Sequence, residues 1–175
     1  MLFHILIILV LGSCGSPKSS QLAPKKVDTE VSEKSIHTLM EAWHHAAATA
    51  DEETFFRLMS DDAIYLGTDK TERWEKAVFE KWAMPHFQKD SAWVFHAHDR
   101  VVYFSEDGQT AWFEELLDTW MGPCRGSGVL RHETNRDWKI AHYNLAMLID
   151  NDDVREVIDL ITKPTEPIPL LPNSQ

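Results

Sequence analysis

The hydrophobic period of this chain changes once, near Trp93, and the change restricts the folds open to it. Upstream, apolar residues recur every three or four positions; downstream, they alternate. Ile36, Leu39, Met40, Trp43, Ala46 and Ala47 form one helical stripe, which predicts an amphipathic helix over 33–49. Asp51 reads as the N-cap of a short second helix, with Glu52 and Glu53 in its first turn and Phe55, Phe56 and Met59 as its apolar residues. Asp62 to Gly67 reads as a short strand. Phe79, Trp82, Ala83 and His86 mark the inner stripe of a third helix that Pro85 kinks or ends. Four alternating runs follow, at 93–104, 109–121, 124–133 and 138–149. The first two are joined at Glu106-Asp107-Gly108, a hairpin signal because glycine accepts the positive φ of a tight turn; Gly122-Pro123 and Thr134 to Asp137 separate the others. Helices first and strands afterwards predict an α+β fold, an antiparallel sheet wrapped over helices. Val154, Val157, Ile158 and Ile161 suggest a closing helix capped by Asp152 or Asp153, before Pro164, Pro167, Pro169 and Pro172 halt regular structure.

Alternation also assigns the faces of the sheet. Ala111, Phe113, Glu115, Leu117, Thr119 and Met121 share one face of their strand, and Ala141, Tyr143, Leu145, Met147 and Ile149 share one face of theirs. These odd-numbered faces are the more apolar and are expected inside. Glu115 then sits between Phe113 and Leu117, where a carboxylate must be paired, neutral or at a cavity, because an isolated buried charge is too costly. It is the leading site candidate. It serves either as a proton-transfer group or as the structural partner of Arg73 or Arg125. The opposite face carries Trp112, Leu116, Trp120, Trp138 and Ile140, too aromatic for ordinary solvent exposure. A sheet-to-sheet homodimer would cover it.

The ends of the chain have a different character. The first thirteen residues lack an acidic group, and Ile5 to Leu11 form an unbroken apolar run, shorter than the roughly 20 residues that span a bilayer. Residues 1–13 are expected to be a signal peptide. Leu11-Gly12-Ser13-Cys14 resembles the bacterial lipobox, which implies a lipid on Cys14 and a lipoprotein held on the periplasmic or cell-surface side of a bacterial membrane. Residues 14–32 then serve as a flexible tether rich in Ser, Pro and Lys. Cys124 is the one other cysteine, so no disulfide framework is available and the core must supply the stability. A hydrophobic content of 43% with seven tryptophans supports a single domain over 33–152, followed by a short helix and proline-rich tail over 153–175. The net charge of -11 argues against a nucleic-acid partner, since that affinity depends on Lys and Arg neutralising phosphates.

Four stretches resemble a branch of the SnoaL-like, nuclear transport factor 2-like superfamily: Leu66 to Trp74, Phe104 to Phe113, Cys124 to Leu130 and Trp138 to Leu145. The resemblance implies a cone, in which helices close one side of a curved sheet around a pocket. It implies that Thr68, Asp69, Arg73, Glu115, Arg125 and Tyr143 lie around that cone. Members include isomerases, dehydratases, cyclases and non-catalytic assembly domains, so the fold alone selects no reaction. The leading expectation is binding of a small, largely apolar molecule, with Trp82, His86, Phe113 and Leu145 as further lining residues. The alternative is an isomerase, dehydratase or cyclase in which Glu115 or Asp69 moves a proton and Tyr143 donates to a developing oxyanion. A third reading is an assembly module whose cone is filled by Phe113, Trp82 and Leu145. No metal or cofactor is expected: His44 and His45 on the first helix, and His96 and His98 on one strand face, lack a third ligand at recognisable spacing. Gly126-Ser127-Gly128 fits neither a phosphate loop nor a nucleophile elbow.

Overall fold

The computed structural model describes residues 29–133 and 137–162. The expected signal peptide, Cys14, most of the tether and the proline-rich tail lie outside the described residues. Helix α1 spans Thr29–Ala48, starting four residues before the expected 33–49, and buries the whole apolar stripe with Trp43 nearly inaccessible. It ends where Ala50 adopts a φ of 54°, and Asp51 N–H donates to the Ala46 carbonyl at 2.8 Å. That is a Schellman-type stop with alanine at the position that favours glycine. Asp51 then accepts from Thr54 N–H at 3.0 Å and caps α2, Glu52–Arg57, as its side-chain chemistry predicts.

The six strands are β1 (Met59–Leu66), β2 (Arg73–Glu75), β3 (His96–Phe104), β4 (Thr110–Thr119), β5 (Gly122–His132) and β6 (Trp138–Met147). They form one sheet in the order β2-β1-β6-β5-β4-β3. Every pairing is antiparallel except β1 with β6, which is parallel and joins the helical half of the chain to the last strand. Between β2 and β3 lies α3, Lys76–Phe87, which runs through Pro85 and ends two residues later. The expected order of helices and strands is therefore observed, with β2 added. The turn after β4 is at Trp120-Met121, and Gly122 and Pro123 already pair within β5.

The odd-numbered face of β4 is buried at Ala111, Phe113, Glu115 and Leu117, as alternation requires. Strand β6 departs from it. Leu130 pairs with Ile140 while its neighbour Val129 pairs with His142, so Ala141 is an extra, unpaired residue that reverses the alternation. Trp138 and Ile140, expected on the outer face, are consequently buried in the core, whereas Tyr143 and Leu145 beyond the bulge follow the expected phase. Met147 and Ile149, expected inside, are about half exposed at the end of the sheet. Helix α4, Val154–Ile161, forms as expected but buries none of its residues, so it does not close the core. Asp153 occupies its N-cap position without a side-chain capping bond.

Ala50→Gly relieves the left-handed backbone at the end of α1 and adds no side-chain contact. The expected gain is about 0.5–1 kcal/mol in urea unfolding, the left-handed strain being partly offset by the freer unfolded chain of glycine.

Candidate functional site

Two of the hollows on the helical side of the sheet share Phe95 in their walls, and a buried polar cluster reaches one of them through His44 and Arg100. The first is an aromatic cleft. Tyr65 on β1 stacks on Phe79 of α3 with ring centroids 4.1 Å apart, and Trp74 of β2 stacks on Trp82 at 4.6 Å. These stacks arise because β2 pairs with β1 through Tyr65 and Trp74 and delivers the chain directly into α3. Beyond them lies a cleft of about 240 Å³, walled by Tyr65, Phe79, Trp82, Trp93, Phe95 and Leu145. Thr68, Glu72 and His86 supply its polar edge, and Trp120, 82% exposed, stands at its margin. Phe79, Ala83 and Phe87 form the buried stripe of α3, while Trp82 is 44% exposed and His86 half-buried, because both turn toward the cleft rather than into the core.

The loop before β2 is held by its own acids. Asp69 accepts from Thr71 N–H at 2.8 Å and from the Thr71 hydroxyl at 2.5 Å, and Glu72 accepts from Asp69 N–H at 3.1 Å. The Thr71 bonds hold the Asp69 carboxyl below its ordinary range. Asp69 is exposed in this turn and forms no pair with Glu115.

Glu115 is 1% exposed and fully engaged. His44 Nε2 donates to Oε1 at 2.7 Å, and Arg100 Nε donates to Oε2 at 2.8 Å. An ionised carboxylate only accepts, so the shared proton of the first bond sits on the imidazole. Arg100 Nη1 extends the network to the His37 carbonyl at 3.2 Å, tying β3 and β4 to α1. Burial works to raise the Glu115 pKa, but the hydrogen bond and charge of His44, followed by the charge and hydrogen bond of Arg100, outweigh it and hold the carboxyl below its ordinary 4.5. Tyr143 lies next to this cluster, and among the described residues its hydroxyl meets no partner in good hydrogen-bond geometry, although it lies close enough to Glu115 to feel the carboxylate. Burial and the neighbouring Glu115 charge push the phenol well up. Gly126 makes the arrangement possible, since a Cβ there would lie 2.5 Å from the Tyr143 hydroxyl and 2.9 Å from Glu115 Oε1.

The partners of Glu115 are therefore His44 and Arg100, in place of Arg73 or Arg125. Arg73 is exposed at the start of β2, and Arg125 is exposed on the outer face opposite Leu116. Among the residues expected around the cone, Thr68, Trp82, His86 and Leu145 line the aromatic cleft. Phe113, Glu115 and Tyr143 lie behind it in the core. Cys124 is a fully buried strand cysteine.

The second hollow is a groove of about 540 Å³ between α1 and β3, with His44 and Arg100 in its wall. Among the described residues, no group of three or more His, Cys, Asp and Glu side chains is placed to hold a metal ion.

Comparison with known proteins places this architecture. The SnoaL-like domain family matches residues 36–150. The chain belongs to that family. No curated protein matches the chain. Solved structures with the same fold include an NTF2-like protein of unknown function from Pseudomonas putida KT2440, at 18% identity and a TM-score of 0.58, covering 70% of this chain and 91% of the other. A protein from Novosphingobium aromaticivorans provisionally named a scytalone dehydratase is 10% identical with a TM-score of 0.57, covering 69% and 87%. A protein from Parabacteroides distasonis provisionally named a ketosteroid isomerase is 19% identical with a TM-score of 0.52, covering 65% and 85%. At these identities the likeness establishes the nuclear transport factor 2-like fold of the SnoaL-like domain and leaves its function to its own residues.

The low-lying Glu115 carboxyl predicts that the domain loses stability in acid. A group whose folded pKa is depressed stabilises the fold above its unfolded value and loses that contribution as pH falls through the folded value. Unfolding free energy should decline as pH drops below 4.5. Glu115→Gln, which strands Arg100 without an anion, should cost about 3–5 kcal/mol at neutral pH and lose less of its remaining stability in acid. Urea unfolding of both proteins across the acid range checks this.

Proposed function

We propose that the SnoaL-like domain binds a small, flat, largely apolar molecule in its aromatic cleft and holds it without chemical change. The observation that carries this reading is the composition of the cleft: stacked rings from β1 and α3 with few polar groups, Thr68, Glu72 and His86, among its lining. Ligand sites have this character, a mainly apolar wall and a few orienting polar groups. At about 240 Å³ the cleft suits one or two fused rings, below the roughly 300–1,000 Å³ of sites for larger ligands. Thr68, Glu72 and His86 would orient one polar substituent. Glu115 supports a binding role rather than proton transfer at this site, because both its oxygens are committed to His44 and Arg100 and it does not line the cleft.

Titration with indole, followed by NMR, should perturb the side-chain N–H signals of Trp82 and Trp93 in a saturable way. Trp82→Ala should weaken binding about tenfold, since loss of one stacking partner removes on the order of 1.4 kcal/mol. Uniform, non-saturating shifts would count against the cleft as a binding site.

The proposed setting is a membrane surface reached through a lipid on Cys14, an inference supported by the apolar run of residues 5–11 and the small residues that precede the cysteine. Cys14→Ser should move the protein from the membrane fraction to the soluble fraction of the cells that make it; unchanged membrane retention would remove the lipid anchor. On the outer face, Tyr103 and Trp112 stack at 5.8 Å and remain exposed, and they form the surface through which two copies would pair.

A further inference from the structure

The charges around the aromatic cleft are one-sided. Its lining contains one carboxylate, Glu72, and neither lysine nor arginine. Glu72 is half-buried just before β2, and its Oε2 accepts from the Asp69 N–H at 3.1 Å. Among the described residues, the ion pairs of lysine and arginine are Lys76 with Asp61, Arg100 with Glu115 and Arg131 with Asp62, so Glu72 has no cationic partner. Burial and then the Glu72 charge push the Tyr65 phenol up, which puts the carboxylate's field on a ring of the cleft wall. One backbone N–H uses a small part of a carboxylate's acceptor capacity. A partly desolvated anion of this kind gains most from a cation that completes its hydrogen bonding.

The rings favour the same sign of charge. Trp82, Trp93 and Trp120 all line the cleft, and the face of an indole attracts cations more strongly than that of a phenyl or phenol ring. Trp82 stacks on Trp74 yet remains exposed, and Trp120 is the most exposed of the large apolar side chains, on the turn between β4 and β5. Both keep ring surface available to a ligand. The net charge of -11 adds a long-range attraction for cations. A neutral ring in the cleft would use the aromatic wall and leave Glu72 unpaired. An anion would meet Glu72 and be repelled. An organic cation with an apolar body uses both features.

We infer that the ligand of the aromatic cleft is an organic cation, a flat ring bearing a protonated or quaternary nitrogen, with the ring held by the indoles and the nitrogen paired with Glu72. The inference rests on the reading of this cleft as a ligand site and adds the charge that its ligand carries. Glu72 is then the specificity-determining residue. The Thr68 hydroxyl, also in the lining, is a further acceptor for an N–H of the ligand. A cleft of about 240 Å³ limits the body of the cation to one or two rings with a short side chain.

The test uses three probes that share one ring and differ in charge: tryptamine, indole and indole-3-propionate. The full chain is titrated with each at about pH 8, where tryptamine is a cation and an ordinary imidazole is uncharged, in about 0.15 M salt, and NMR follows the side-chain N–H signals of Trp82 and Trp93. Tryptamine should bind about tenfold more tightly than indole, and indole-3-propionate about tenfold more weakly. Glu72→Gln keeps an acceptor for the Asp69 N–H but removes the charge. It should bring tryptamine to the affinity of indole and leave indole unchanged, and that saturable indole binding shows the variant to be folded. Glu106→Gln makes the same change of charge at an exposed position at the opposite end of β4 from Trp120, and should leave all three affinities as they are. Equal wild-type affinity for tryptamine and indole overturns the charge assignment while the cleft stands as a site for neutral rings. A tryptamine preference that survives Glu72→Gln, or that falls equally in Glu106→Gln, overturns it as well. Uniform, non-saturating shifts with all three probes overturn both readings of the cleft.

Discussion

A buried carboxylate holds the helical and sheet halves of this domain in one arrangement. Glu115 projects from the middle of β4, and its two oxygens are taken by an imidazole from α1 and a guanidinium from β3. Neither oxygen can be released cheaply, because each partner would be left as an uncompensated polar group in the interior. The angle and height of α1 over the sheet are therefore set by hydrogen-bond geometry as well as by the packing of Trp43 against Phe55 and Tyr143. Apolar packing alone tolerates sliding; a hydrogen bond of 2.7 Å between buried groups does not. Gly126 is part of the same constraint, as the close approach of β5 keeps space for the cluster.

Much of this was legible in the order of residues. The change of period near Trp93 separates helices from strands, and alternation in β4 correctly puts Glu115 inside. What alternation cannot register is an inserted residue. Ala141 is such a residue in β6, and it moves Trp138 and Ile140 from the outer face into the core. Asp99, with a φ of 51°, lies at a second irregularity, between His98 and Val101 of β3. The identity of the Glu115 partner had a readable signal. Val102 pairs with Phe113, so Arg100, two residues back on the same face, falls beside Glu115. Neither expected partner, Arg73 or Arg125, is placed to reach it, since both are exposed. His44 was visible only as a possible metal ligand, because nothing local marks a helix histidine as the partner of a strand more than seventy residues away. Strand β2 carries no periodic signal of its own, because three residues are too few to establish a period.

The fold offers the chain two hollows of different character on one scaffold, with Phe95 in the wall of both. On one side of the cluster, rings from β1, α3 and the segment leading into β3 make an apolar cleft with a thin polar edge. On the other, the exposed edge strand β3 and α1 make a wider, wetter groove. Phe113, Tyr143 and Leu145 belong to the core of the domain, and Leu145 also lines the cleft.

The parallel pairing of β1 with β6 carries a kinetic consequence. Tyr65 is hydrogen-bond neighbour to Tyr143, and Ser60 donates to the Ile140 carbonyl at 3.3 Å, so the first strand completes its ladder only with the last. Hairpins β3–β4, β4–β5 and β5–β6 close over short loops, whereas this contact must wait until almost the whole domain has been synthesised. Until then β1 presents an unpaired edge, with β2 on one side and nothing on the other. The nascent amino-terminal half is consequently the segment most in need of protection from aggregation, and the arrival of β6 is the event that commits the domain to its native state.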